Sequence, residues 1–245
     1  MSTFTSERLK LTSTRSTVWL AVSLIGIVTL AAVVHILGFD AAMVDDASEQ
    51  RSILTDIGVS MGLVFAAISG SLAITSEFRH GTIGPTLLKH PDRAGLLTAK
   101  LATQSVIGAA LAVTATAYAV GLTAVFLGAR GLTLELDGDQ IARLVIGASL
   151  GGAGFAVAGL AIGVIVRNQV PVVVGLLIWT LFIENLLRAG APSIARFAPG
   201  SLGRAIVAPG AGQFGSPIIA AVGLILDAAA GFAVARATFA HRDIA

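Results

Sequence analysis

The sequence contains no cysteine and little charge: charged residues make up 12% of its 245 positions, against about 25% in ordinary soluble proteins. Without cysteine, a disulfide framework and a thiolate metal site are both excluded. Hydrophobic residues account for 55% of the chain, and the mean hydropathy is +0.88. A soluble fold of this length cannot bury so much apolar surface, so lipid must solvate much of it. The formal net charge of +2 is too small to indicate nucleic-acid binding.

Six long apolar runs predict six transmembrane helices. In lipid the backbone must satisfy its own hydrogen bonds, which leaves a helical bundle or a closed barrel. Barrel strands read as short alternating segments, whereas these runs are continuous. We therefore predict an all-α polytopic membrane protein with a single transmembrane domain over residues 1–245. Its spans are expected at about 18–37, 57–75, 102–127, 144–166, 170–187 and 217–240. The first run is longer than the apolar core of a signal peptide, so we expect a retained helix.

Basic residues predict the orientation of these spans. With the N-terminus inside, most of them fall in the inner segments, as the positive-inside rule requires. The inner set is Arg8, Lys10, Arg15, Arg79, Lys89, Arg93, Lys100, Arg167, Arg236 and Arg242, and the outer set is Arg51, Arg130, Arg143, Arg188, Arg196 and Arg204. Both termini are then cytoplasmic, and acidic residues such as Asp56 fall in the outer loops.

Two further segments are unusual for a simple bundle. Residues 2–17 place Phe4 and Leu11 two helical turns apart, which predicts an amphipathic elbow helix on the inner membrane surface; a disordered tail is the alternative. Residues 188–216 carry Pro192, Pro199 and Pro209 yet stay apolar. Because proline interrupts helices, we predict short broken helices that re-enter the outer leaflet, with an ordinary outer loop as the alternative.

Span 4 is rich in glycine. Gly147 and Gly151, and again Gly159 and Gly163, have the spacing that lets two helices approach closely. The partner helix belongs either to the same subunit or to a second copy of the chain.

Enzymatic motifs are absent from the sequence. It contains no GxxxxGK[ST] phosphate-binding loop, and no two of its four histidines have the i, i+4 spacing of a zinc protease helix. No serine–histidine or paired-carboxylate arrangement falls at membrane depth. We therefore expect a non-catalytic chain, without catalytic residues, a metal site or a bound cofactor.

Residues 76–100 form a basic segment between the charge-free runs 57–75 and 101–128. Gly81 and Thr82 predict a bend and a helix N-cap. A short helix over 82–88 would then place Ile83, Leu87 and Leu88 on one side, as apolar groups that fit a groove in a partner. The alternative is a solvated loop that only returns the chain to the membrane.

These residues resemble a known family. The stretch EFRHGTIGPTLLKHPDRAGLLTAK is similar to the segment between spans 2 and 3 of bacterial ABC-type 2 (ABC-2) transporter permeases. The matching positions are Glu77, Arg79, Gly81, Thr82, Ile83, Thr86, Leu87, Pro91, Arg93 and Lys100. VRNQVPVVVGLLIWTLFIENLL resembles the family's turn between spans 4 and 5, through Arg167, Asn168, Gln169 and Glu184. SERLKLTSTRST looks like its elbow helix and HRDIA like its C-terminus, whereas Pro85 departs from the pattern.

The resemblance implies a permease of the bacterial plasma membrane that dimerises and binds two cytoplasmic ATPase subunits. Residues 77–91 would form the ATPase-coupling loop, with Leu88 beside the matching positions and Arg167 and Asn168 as a second inner contact. ATP and Mg²⁺ would bind only in the ATPase. The expected activity is export of a hydrophobic or amphipathic substrate such as a drug, antibiotic, lipid or peptide. A non-transporting immunity or sensor protein is the alternative, followed by a secondary transporter.

Two acidic residues fall at membrane depth. Asp227 lies in the middle of span 6 and Glu184 near the outer end of span 5. A carboxylate in a span is costly, so it usually faces a polar interior. Asp227 would contact substrate or protons along a pathway, or bond to a Ser or Thr of a neighbouring span. Glu184 would line that pathway or cap the broken outer helices.

Overall fold

A computed structural model describes residues 15–38, 47–89, 92–207 and 216–241. Within these ranges the chain is all-helical and has no strand. The long helices are α1 (Arg15–Gly38), α2 (Ala47–Leu54 and Met61–Arg79, joined by a π-helical turn Thr55–Ser60), α4 (Arg93–Ala129), α5 (Gly138–Val166), α6 (Gln169–Ile178 and Glu184–Gly190, joined by a π-helical turn Trp179–Ile183) and α9 (Pro217–His241). The short helices are α3 (Ile83–Lys89), α7 (Pro192–Ala195) and α8 (Pro199–Val207).

Six helices of the described chain are long and apolar enough to cross a membrane, as the sequence predicts. They correspond in order to the six expected spans. The predicted elbow helix lies almost entirely outside the described residues, which begin at residue 15. Short helices α7 and α8 do form between α6 and α9, in the proline-containing segment, while residues 208–215 lie outside the described part.

Helices α2, α4 and α5 extend well past the predicted boundaries, whereas α1, α6 and α9 match theirs to within three residues. Asp56 was assigned to an outer loop but lies within α2, and Arg188 likewise lies within α6. Hydropathy marks the apolar centre of a span, whereas a helix ends only where its backbone is capped or turned. Helix α4 has 37 residues, about 55 Å at 1.5 Å per residue. It therefore projects beyond a hydrocarbon layer of about 30 Å.

Local sequence explains where the helices begin. The Asp92 carboxylate accepts a hydrogen bond from Gly95 N at 2.9 Å and caps α4. Asp137 accepts one from Gln140 N at 2.7 Å, and the Gln140 side chain bonds back to Asp137 N at 3.2 Å, which forms a capping box for α5. Asn168 caps α6 by accepting from Val170 N at 3.3 Å.

Helix α5 lies at the centre of the bundle and packs against α2, α4, α8 and α9. Its glycines bring backbones into direct contact. A Cβ on Gly159 would lie 1.9 Å from Ala67 O of α2, and a Cβ on Gly70 would lie 1.9 Å from Ala156 O of α5. The other glycine pair, Gly147 and Gly151, also packs within the same chain, because Gly147 faces Val207 of α8. The structure thus assigns the close helix approach to packing within one chain.

Helices α1, α6 and α9 are peripheral, and most of the apolar side chains on them are exposed. We refer below to the end of the bundle that holds α3 as the α3 end and to the opposite end as the far end. Helices α4 and α6 begin at the α3 end, while α5 and α9 begin at the far end.

Candidate functional site

Helix α3 is joined to α2 by a rigid turn. Gly81 has a φ of +65°, a left-handed conformation in which glycine avoids the strain of other residues. Thr82 N donates to Glu77 O at 3.0 Å, and Gly81 N donates to Phe78 O at 3.2 Å. This pair of bonds is a Schellman motif, which satisfies the last carbonyls of α2. The bend expected at Gly81 is therefore present, and α3 leaves α2 in a fixed direction.

A buried ion pair joins the two spans on either side of α3. Lys100 Nζ of α4 lies 2.8 Å from Glu77 Oε1 of α2, and the Lys100 side chain is only 1% exposed. Lys100 Nζ also lies 3.5 Å from Ala73 O. Glu77, which the resemblance places in the coupling loop, thus points into the protein.

The apolar residues of α3 do not all face outward. Ile83 is buried in a cluster with Ile74, Leu96, Leu97 and Phe239, because the turn at Gly81 folds the first residue of α3 back onto the bundle. Leu88 is 89% exposed. Our expectation of an outward side formed by Ile83, Leu87 and Leu88 is therefore wrong for Ile83. The side chain of Leu87 and the whole of Pro91 lie outside what the structure describes.

The remaining residues of this segment make local contacts. The Thr86 hydroxyl donates to Thr82 O at 2.8 Å. Arg93 Nη1 donates to Phe239 O at 3.2 Å, which links the start of α4 to the end of α9. Pro85 is accommodated because it lies in the first turn of α3, where a helix does not need its N–H donors.

The expected coupling loop and the expected second inner contact, at Arg167 and Asn168, both lie at the α3 end. Arg79 Nη1 at the end of α2 donates to Gln169 Oε1 at the start of α6, at 3.3 Å. The Arg167 guanidinium lies over the Phe78 ring, 5.2 Å from its centre. Asn168, which caps α6, is exposed. Residues 78–79 and 167–169, distant in sequence, are therefore in contact at this end.

The far end contains a cavity of about 630 Å³ between α1, α2, α5, α6 and α8. Its polar lining comes from His35, Asp56, Ser60, Thr180, Glu184, Asn185, Arg188 and Arg204, and its apolar lining includes Ile57, Met61, Leu63, Val64, Phe155 and Leu181. This is the size of a small-molecule site.

Charged groups on the cavity wall are held in different ways. Asp56 forms an ion pair with Arg204 of α8. Glu184 is 3% exposed and accepts a hydrogen bond from the Ser201 hydroxyl at 3.1 Å. A Cβ on Gly200 would lie 2.5 Å from Glu184 Oε1, so this carboxylate lies against the first turn of α8, as a helix-capping role requires.

Both π-helical turns of the described chain border this cavity. The turn in α2 contributes Asp56, Ile57 and Ser60, and the turn in α6 contributes Thr180 and Leu181. A π turn inserts an extra residue into a helix and redirects the side chains that follow; such turns are frequent at functional sites. The two irregular turns therefore shape the wall of one cavity.

Asp227 lies elsewhere, on an exposed face of α9. Within the described part of the chain it makes no hydrogen bond or ion pair. The expected bond to a Ser or Thr of a neighbouring span is therefore not formed among the residues that the structure describes. The carboxylate faces outward at the depth where a charge is most costly.

Sequence reasoning did not find the cavity. Asp56 was assigned to an outer loop, and Arg188 and Arg204 to the broken outer helices, so their meeting around one cavity was not anticipated. Two signals were available: Asp56 with Ser60, and Glu184 with Arg188, have the i, i+4 spacing of one helix face.

Comparison of the chain with protein-family models and with curated protein sequences found no match in either case. The likeness to ABC-2 permeases therefore depends on the motif residues quoted above.

Proposed function

We propose that this chain is the membrane-spanning permease subunit of an ATP-driven exporter of the ABC-2 type. The chain would work in the bacterial plasma membrane as a dimer of permease subunits with two ATPase subunits on the cytoplasmic side. ATP and Mg²⁺ would bind in the ATPase. The α3 end would face the cytoplasm, which puts both termini there.

The observation that best supports this proposal is the way in which α3 is attached to the bundle. The helix projects the almost fully exposed Leu88, while Ile83 is buried beneath it and the Glu77–Lys100 pair joins the spans on either side. A partner that binds at Leu88 would therefore move α2 and α4 together. Such a contact shifts the permease between states if the ATP-bound partner prefers one of them.

Cross-linking tests both the contact and the orientation. The natural chain has no cysteine, so Leu88→Cys introduces a single thiol at the α3 end. We expect it to cross-link in cells to a cytoplasmic ATPase encoded beside the permease gene. Leu186→Cys is the matched control, because Leu186 is 73% exposed but lies at the far end. Cross-linking of Leu186→Cys, or none at Leu88→Cys, would contradict the proposal.

Truncation tests the energetics of the same contact. Leu88→Ala removes roughly 2 kcal/mol of apolar burial if the side chain fills a groove in the partner. We expect more than tenfold weaker ATPase binding, with no loss of thermal stability in the isolated permease. Leu186→Ala should leave ATPase binding unchanged.

A second candidate is a non-transporting ligand-binding protein of the immunity or sensor type. The cavity at the far end favours it, because a ligand held there needs no ATPase. Stimulation of ATP hydrolysis by the reconstituted permease would separate the two candidates, since only the exporter predicts it.

A further inference from the structure

The far-end cavity has charged groups on one side and apolar walls deeper in the bundle. Asp56 lies in the π-helical turn of α2, and Arg188 lies in the last turn of α6. Leu63 lies about 10 Å further along α2 than Asp56, at 1.5 Å per residue, and Phe155 is in the interior of α5. A molecule that fills this cavity therefore meets charge at one end and apolar side chains at the other.

Of the four acidic and arginine side chains on the cavity wall, Arg188 is the one that the described residues leave without an ion pair and with an unsatisfied donor. Asp56 is paired with Arg204, and Glu184 is held by Ser201 and the first turn of α8. Arg188 donates only to the neutral amide of Asn185, and its Nε is buried without a hydrogen-bond partner. It forms no ion pair with the described residues. A guanidinium has five N–H donors in a planar fork that matches carboxylate, sulfate and phosphate oxygens.

We propose that this cavity binds the anionic headgroup of an amphipathic molecule, with Arg188 as the cation that pairs with it. The apolar tail would lie along Met61, Leu63 and Phe155. Because the side chains of Asp56 and Arg204 are 41% and 30% exposed, their pair can shift to admit the headgroup without opening the core. The identification of the bound molecule as the transported substrate rests on the proposed function. The binding itself does not.

Binding is measured on the purified permease alone, so its failure is distinct from a failure of ATPase coupling. The probe is 11-(dansylamino)undecanoic acid, whose fluorescence rises in an apolar site. Its methyl ester has the same tail and no charge. With the wild-type protein in nanodiscs of phosphatidylcholine, we expect the acid to bind at least tenfold more tightly than the ester. Equal binding of the two, or no saturable binding of the acid, would overturn the proposal without any variant.

A substitution then tests whether Arg188 is the residue that binds the anionic group of the probe. Arg188→Gln should weaken binding of the acid roughly ten- to a hundredfold, the range for hydrogen bonds to a charged group, and leave the ester unchanged. Arg196→Gln is the matched control, because Arg196 is also at the far end but stacks on Phe197 outside the cavity. Unchanged binding of the acid by a folded Arg188→Gln protein would remove Arg188 from the site.

The source of the anion is settled by competition. Nanodiscs that contain phosphatidylglycerol should displace the acid if the natural occupant is an anionic lipid. If phosphatidylglycerol does not compete and free dodecyl sulfate does, the occupant is a diffusing amphipathic anion. Both results support the site; failure of both anions to compete would contradict it.

Discussion

At the α3 end, Glu77 and Lys100 form an ion pair that is almost entirely buried. At the far end, Asp56 and Arg204 form one on a cavity wall, where their side chains are 41% and 30% exposed. The first end is also fixed by a Schellman turn and an apolar cluster around Ile83. The second is bordered by two π-helical turns and holds an incompletely satisfied arginine. The α3 end is therefore tightly packed, whereas the far end contains a cavity.

The largest expected effect is a loss of stability at the contact between α2 and α5. Gly159→Ala would place a methyl group 1.9 Å from Ala67 O, a backbone atom that moves only if α2 and α5 separate. We expect a loss of about 3 kcal/mol or more, at or above the upper end for overpacking. Thermal unfolding in detergent measures it.

The control for this change is Gly175→Ala in peripheral α6, where a Cβ would meet nothing within 4 Å. Replacing that glycine should be neutral or stabilising by up to about 1 kcal/mol. Equal stability of the two variants would show that α2 and α5 are not in backbone contact.

The two ion pairs should differ in their contribution to stability, with an effect of similar size at the α3 end and a much smaller one at the far end. Lys100→Met leaves Glu77 buried without its cation, and breaking a buried pair costs about 3–5 kcal/mol. Arg204→Gln breaks a pair that solvent reaches, for which about 0–1 kcal/mol is expected. The double variant Glu77→Gln with Lys100→Met should recover most of the loss. If Arg204→Gln were as damaging as Lys100→Met, the two ends would not differ as described.

The smallest effect is expected outside both ends. Asp227→Asn removes an exposed charge that has no partner in the described chain, so the stability of the isolated protein should change by less than about 0.5 kcal/mol. Unfolding in detergent, compared with wild type, checks this. A loss above 1 kcal/mol would mean that Asp227 is held by a contact outside this chain, such as a second copy.

The sequence was sufficient for the six spans and for the position of α3, because long apolar runs and a glycine turn are local signals. It misplaced the ends of α2, α4 and α5, because charged residues such as Asp56 were assumed to mark the limits of helices that continue past them. It also could not show that Ile83 and Glu77 point inward, since that depends on where α4 and α9 pack. The cavity depends on five helices and two π turns, which no local pattern encodes.

Helix α2 carries both Glu77 and Asp56, so a single helix connects the α3 end with the far end. Between these two residues, α2 touches the backbone of α5 at Ala67 and Gly70. At 1.5 Å per residue, Asp56 lies about 19 Å and Glu77 about 13 Å from the middle of this contact. A rigid tilt of α2 about this contact would therefore move Asp56 in the direction opposite to Glu77 and about half as far again.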